Sequence, residues 1–294
     1  MDRVLRSSAA TASVIFYVGD VAVDATGPVT VDVLREDGET LSSGTTATKR
    51  PNTIGVYDLA LSPALHTAEV DVLSLRWHAT VAGVASVVET RVEVVGGFAF
   101  AVAEFRALAD MADTAKYPTA RVAAERTRIE ALFERACGAS FVERYAREVL
   151  DGAGGPVVET ETGRLRRILS AREDGAFLTG ASLSGMTVLR HGAVVRAPGE
   201  FWKPTAPGNV ELRLVVGWSE SYPDDLRAAA MDAVRYRLVQ ARSGAAIPER
   251  ATSLTTEAGT FAVATAGLRR PTGLPEIDAV VLGWAEALRS PGVA

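Results

Sequence analysis

Through the first 97 residues, apolar and polar positions alternate in short runs: Ser13–Val18, Val29–Arg35, Gly55–Ala60, Ser74–Val81 and Ser86–Val95. In the second run Val29, Val31 and Val33 fall on one side and Thr30, Asp32 and Leu34 on the other, as successive side chains do on a strand. The runs are rich in Val, Thr and aromatics, and turn residues such as Glu36-Asp37-Gly38-Glu39 separate them. No helical period of useful length occurs there. The pattern predicts an all-β sandwich over residues 1–97.

After Phe98 the period changes to that of a helix. Phe105, Leu108, Ala109 and Ala112 mark a short first helix. Val122, Ile129, Leu132, Phe133 and Ala136 mark a second, between Pro118 and Gly138. Extended stretches are then expected at Phe141–Leu150, Pro156–Glu159, Leu165–Ala171, Thr187–Val195 and Val210–Trp218, joined by Gly- and Pro-rich connections. A third helix follows Pro223, with Asp224 and Asp225 where the macrodipole favours anions and Arg235, Arg237 and Arg242 toward the cation-favouring end. Its apolar stripe is Leu226, Ala230, Val234, Leu238 and Ala241, and Gly244 is its expected stop. Beyond an irregular stretch, Pro275–Leu288 reads as a short last helix. Three regions result: a sandwich at 1–97, a core of helices and β segments at 98–244, and an arm with its helix at 245–294.

Composition sharpens this division. The chain has 294 residues and a net charge of −5, which argues against a protein that grips nucleic acid through phosphates. Residues 1–97 carry seven basic and twelve acidic groups, whereas the remainder is balanced. No apolar stretch approaches the roughly 20 residues of a bilayer span, and Val14–Val18 is too short for a secretory core. A soluble, unprocessed chain is expected. Cys137 is the lone cysteine, so no intramolecular disulfide can form, and His66, His78 and His191 are scattered.

The motifs that could carry chemistry are weak. A nucleophile elbow needs glycine two residues either side of its serine. In Gly180-Ala181-Ser182-Leu183-Ser184-Gly185, Ser182 has Gly180 before it but Ser184 after it, and Ser184 lacks the preceding glycine, so a flexible loop is expected. Gly152-Ala153-Gly154-Gly155 has no Lys-Ser/Thr and runs into Pro156, so it reads as a turn rather than a phosphate loop. Glu159/Glu161, Glu173/Asp174 and Asp224/Asp225 could pair as carboxylates. Turn chemistry accounts for Glu173-Asp174-Gly175, and a helix N-terminus for Asp224/Asp225. His191-Gly192 is expected at a hairpin turn, and Cys137 as a small buried hydrophobe. Trp202 and Trp218 could line a sugar platform, although Trp218 ends an apolar strand. No catalytic, cofactor or metal residue is assigned, and no enzyme is expected.

From Phe98 onward the order of features resembles the head-to-tail adaptor (connector, or head-completion) proteins of tailed bacteriophages. The features are a helical pair ending at Ala136-Cys137-Gly138, then Phe141–Leu150 and Asp151-Gly152, then Val210–Val216 leading to Gly217-Trp218. Tyr222-Pro223-Asp224-Asp225-Leu226-Arg227-Ala228-Ala229-Ala230 opens the long helix, and Thr272-Gly273-Leu274-Pro275-Glu276-Ile277-Asp278-Ala279-Val280 closes the pattern. Residues 1–97 resemble an immunoglobulin-like module, carried by Phe16–Asp20, Gly55-Val56-Tyr57, Arg76-Trp77-His78 and Val92–Gly96, without the cysteine pair of antibody domains.

The resemblance implies a multidomain fold: an all-β immunoglobulin-like sandwich, then an α+β, mainly helical adaptor domain with a C-terminal arm. It implies a virion protein at the head–tail interface, assembled in the host cytoplasm. There it would form a ring, usually twelvefold, between the portal and a stopper or tail protein. Packaged DNA would pass through without sequence-specific binding, and neither cofactor nor membrane is involved. The small-residue stripe Ala229, Ala230 and Ala233, with Arg237, is the expected subunit interface or the contact with preceding helices. Arg269, Arg270, Leu274, Ile277, Val281 and Trp284 are the expected portal-binding residues, folding back on the same domain being the alternative. Two other functions compete: a surface-binding or decoration protein using the first module for adhesion, and a carbohydrate-active enzyme.

Overall fold

The structure is a computed structural model, and it describes residues 1–108, 110–189, 192–218, 222–243, 253–256, 259–262 and 270–289. The chain divides into two compact units, one built on Met1–Gly96 and one on most of the rest.

The first unit contains ten strands: β1 (Asp2–Leu5), β2 (Ala10–Ile15), β3 (Tyr17–Val18), β4 (Val21–Ala22), β5 (Thr30–Leu34), β6 (Thr40–Thr46), β7 (Thr48–Lys49), β8 (Val56–Leu61), β9 (Asp71–Val81) and β10 (Val84–Val95). One sheet runs in the order β1-β10-β9-β5-β6 and a second β2-β8-β7, while β3 and β4 form a small hairpin. The alternation seen in the sequence decides which side chains meet. Leu73, Leu75, Trp77, Ala79 and Val81 of β9 are buried together with Val31 and Val33 of β5. Ala12 and Val14 of β2 and Tyr57, Leu59 and Leu61 of β8 join the same core from the second sheet. Each of the Val and Leu side chains contributes roughly 1.5–3 kcal/mol when fully buried. Trp77 is fully buried, and its indole N–H donates to Thr90 Oγ1 at 2.8 Å, so its polar atom is satisfied.

β9 and β10 are joined by a two-residue turn, Ala82-Gly83, with φ of +50° and +80°. Two positive values are what a tight hairpin turn matching the strand twist requires. The first unit also takes in Arg144–Arg147 and Arg213–Val215. Here the guanidinium of Arg213 is held by Asp37 and by Asp71 Oδ2 at 3.3 Å, and its Nε donates to Tyr145 Oη at 3.0 Å. Tyr145 in turn donates to Glu36 Oε2 at 2.8 Å. Burial, the largest cause, holds the Tyr145 phenol above its ordinary range.

The second unit mixes strands and helices. Its helices are α1 (Val102–Arg106), α2 (Thr119–Cys137), α3 (Ala181–Ser184), α4 (Asp224–Ser243) and α5 (Pro275–Arg289). The remaining strands are β11 (Arg144–Leu150), β12 (Val157–Glu159), β13 (Leu165–Glu173), β14 (Ala176–Phe177), β15 (Thr187–Leu189), β16 (Ala193–Val195), β17 (Val210–Val216), β18 (Ser253–Thr256) and β19 (Gly259–Ala262), of which β11 and β17 give the residues named above to the first unit. They form sheets in the orders β11-β17-β13-β14 and β12-β16-β15, and a β18-β19 hairpin.

This corrects the expected fold class. Strand accounts for 37% of the chain and helix for 24%, so the chain is mainly β and its larger part is not a mainly helical adaptor domain. The physical reason lies in residues 144–216. There the alternating, β-branched stretches pair with one another, and the Gly- and Pro-rich connections serve as turns between strands. The helical period is confined to α2, α4, α5 and two short turns. Gly180–Gly185, expected as a flexible loop, contains the single-turn helix α3, where Ser182 Oγ donates to Glu200 Oε1 at 2.6 Å.

Candidate functional site

Several of the segments that carried the adaptor resemblance lie far apart along the chain. Cys137, Phe141, Trp218, Tyr222–Ala230 and Leu274–Val281 meet in one core where α2, α4 and α5 pack, while Asp151-Gly152 lies instead against Lys203 and Asn209. On α2, Val122, Ile129, Phe133 and Cys137 are buried at helical spacing. Three charged residues of α2, Arg126, Glu130 and Glu134, are buried as well, and the first two hold the preceding segment. Arg126 lies over the Phe98 ring at 3.5 Å and donates to the Phe100 carbonyl at 2.9 Å, while Glu130 accepts from Ala99 N–H at 2.7 Å. They pin the segment entering the unit against α2. Their charge assigns them to a solvated face in a sequence reading, so this role is invisible there.

Gly217-Trp218 ends β17. Gly217 has φ +122°, and a Cβ there would stand 2.1 Å from the Val142 carbonyl oxygen, so no other residue fits. The close approach lets Gly217 N–H reach Arg164 O at 3.1 Å and Trp218 N–H reach Ser140 O at 2.9 Å. Trp218 is thereby set in an aromatic cluster. Its ring lies 5.3 Å from Trp284 and 6.5 Å from Phe141, and Phe141 lies 5.5 Å from Tyr222 and 5.9 Å from Trp284. The Arg164 guanidinium covers Trp218 at 3.9 Å. Burial lowers the pKa of Arg164 from its ordinary value.

The helix that begins within Thr272–Val280 reaches the start of α4 at Trp284 and Asp225, where the indole N–H donates to Oδ2 at 2.7 Å. Thr272–Asp278 is a clamp at the start of α5. Asp278 is buried; its Oδ1 accepts from Thr272 N–H and Oγ1 at 2.8 and 2.7 Å, and its Oδ2 from Gly273 N–H at 3.1 Å. The order Thr-Gly-Leu-Pro-Glu-Ile-Asp is therefore a device that fixes the entry of a helix.

The positions expected at interfaces are placed as follows. Ala229, Ala230 and Ala233 are buried in the unit's own core, where their small side chains let α4 approach α2 and α5 closely. Arg237 pairs through Nε with Glu125 Oε2 of α2 at 2.9 Å. Ile277 and Val281 are buried in the same core, and Leu274 and Trp284 pack against it. Arg270 is exposed. Arg269, together with Ala109, His191, Gly244 and the greater part of 245–269, lies outside the described residues. Cys137 is buried, and its thiol reaches the Val281 carbonyl at 3.5 Å, tying α2 to α5. Trp202, considered for a sugar platform, is fully buried. Among the described residues no three His, Cys, Asp or Glu side chains gather to hold a metal ion. The arrangement is a packed junction of helices and aromatic rings, suited to holding a shape.

No protein-family model matches the chain, and no curated protein matches it. Among solved structures, it overlaps a chain from the neck of an empty gene transfer agent (GTA) particle, computed with C6 symmetry. That overlap has 18% identity and a TM-score of 0.38, covering 49% of this chain and 79% of the other. It also overlaps a chain from the neck of a native GTA particle, computed with C12 symmetry, at 16% identity and a TM-score of 0.39, covering 66% and 90%. At these scores neither likeness assigns the chain a fold or a role.

Proposed function

We propose that this chain is a structural neck protein of a tailed-phage-like particle: a head-to-tail adaptor that joins twelve identical copies in a ring between the portal and a stopper or tail protein. It acts without chemistry, and DNA passes through the ring without sequence-specific contact. One observation carries this reading. The separated segments that resemble the adaptor family, Gly217-Trp218, Tyr222–Leu226 and Thr272–Asp278, converge on one aromatic junction whose contacts are all structural. A ring element needs a rigid wedge of this kind more than it needs a pocket.

The experiment is electron microscopy of particles made with the wild-type chain and with a chain lacking residues 224–289. The expected result is a ring of copies at the neck of the wild-type particle and tailless heads without it. Density for the chain on the capsid surface or at the tail tip, with necks intact, would overturn the proposal.

A further inference from the structure

Burial along β10 changes abruptly at one residue. Val92–Val95 are all buried, and these are the positions alongside which β1 lies in parallel, Asp2 opposite Val92 and Leu5 opposite Val95. None of residues 84–91 is buried, although β9 pairs with the strand throughout. Among the described residues no strand lies on the outer side of 84–91, so that side presents the alternating N–H and C=O groups of a sheet edge. Val84 and Val87 are 65% and 62% exposed. Soluble proteins guard such edges with charges, proline or bulges, and Val84-Ala85-Ser86-Val87-Val88 has none of these.

We propose that this edge pairs with the same edge of a second copy of the chain, antiparallel, with Val88 opposite Val88 of the second copy. An open strand edge is recognised by an extended backbone, and this strand's own sequence fits the role. In that register residues of like side meet. Ser86, Val88 and Thr90, which neighbour the buried Ala79, Trp77 and Leu75 of β9, face Thr90, Val88 and Ser86 of the second copy and extend the core over Val88. On the other side Val87 stands opposite Glu89 of the second copy and Ala85 opposite Arg91, so no like charges confront each other. The contact is isologous, each copy giving and receiving the same strand. Seven residues a side make a small interface, so pairing is weak in dilute solution and grows with concentration. The inference does not depend on the adaptor reading.

The test is sedimentation velocity of the full chain over a wide concentration range, with hydrogen exchange at both ends of it. The expected result is a monomer that becomes a dimer as concentration rises, with exchange slowed at the amides of 84–91. Ala85→Lys would set a lysine against Arg91 twice in the symmetric pair and weaken dimerisation roughly tenfold, whereas Val87→Lys would face Glu89 and leave it unchanged or stronger. Both positions are exposed, so an unchanged melting temperature of the dilute monomer verifies folding. A monomer at every concentration, slowed exchange elsewhere, or equal effects of the two lysines would overturn the proposal.

Discussion

Trp284 donates its indole N–H to Asp225 Oδ2 at 2.7 Å across 59 positions of the chain, and its ring stands edge-on to Trp218 at 5.3 Å. The bond closes α5 onto the first turn of α4. It places the last helix inside the second unit's own core, with Ile277, Val281 and Ala285 buried beside it.

Two substitutions separate the ring from the hydrogen bond. Trp284→Ala removes the edge contacts with Trp218 and Phe141 and should lower the stability of the isolated chain by about 3 kcal/mol. Trp284→Phe keeps an aromatic ring but loses the N–H and the smaller ring of the indole, so it should cost less, about 1–2 kcal/mol. Denaturant unfolding of the purified chain measures both. Equal, negligible effects would mean that α5 is not held by this junction.

Gly217→Ala should be among the most damaging single changes. Its Cβ would meet the Val142 carbonyl oxygen at 2.1 Å, and the nearest atoms are all backbone of Val142 and Glu143, so no flexible side chain can yield. With a φ of +122° added, a loss above about 2 kcal/mol is expected. The drop in melting temperature, or a shift of the expressed protein into the insoluble fraction, is the readout.

The alternation of β5 and β9 was legible in the sequence because half-buried strands write their faces at period two. So was α2, from its apolar spacing. The strands between 144 and 216 were legible as well, in the extended stretches expected there; the mainly helical character came from the resemblance and not from these residues, whose alternation already pointed to strands. The stripe Ala229, Ala230 and Ala233 signals close helix approach, but composition alone does not say which helix approaches. Here α2 and α5 do. The roles of Arg126, Glu130 and Asp278 were hidden for a different reason. A charged residue is assigned to the surface unless its partners are known, and theirs are backbone groups set by the fold.

The hairpin between β9 and β10 offers a stabilising change. Ala82 adopts φ +50°, a left-handed conformation that costs an alanine roughly 1 kcal/mol and asparagine less. Asn-Gly is the favoured pair for two-residue hairpin turns, and Gly83 already supplies the second member. Ala82→Asn should therefore raise stability by about 0.5–1 kcal/mol, seen as a rise in melting temperature without change in the fold. A decrease would show that the turn is not of this kind.

His66 makes the first unit acid-sensitive. The ring is buried; its Nδ1 accepts from Ser62 N–H at 3.0 Å, and its Nε2 lies 3.0 Å from Ser42 Oγ. An accepting Nδ1 carries no proton, so the folded state holds the neutral ring, with Nε2–H donating to Ser42. Burial lowers its pKa below the ordinary 6.5. The sign follows directly. Above 6.5 the ring is neutral in both folded and unfolded chains, and stability is fully present. As pH falls below 6.5 the unfolded chain takes up a proton that the folded chain resists, so stability is lost toward the lower folded pKa. The same turn receives Ser7 N–H at Thr67 O, 2.6 Å, and donates from Thr67 Oγ1 to Ser8 O at 2.9 Å, so its opening would also release the link between β1 and β2. Melting temperature measured from pH 7.5 down to 5 should fall in the wild type and fall less in His66→Gln, which cannot be protonated. Parallel curves for the two proteins would show that another group sets the acid limit.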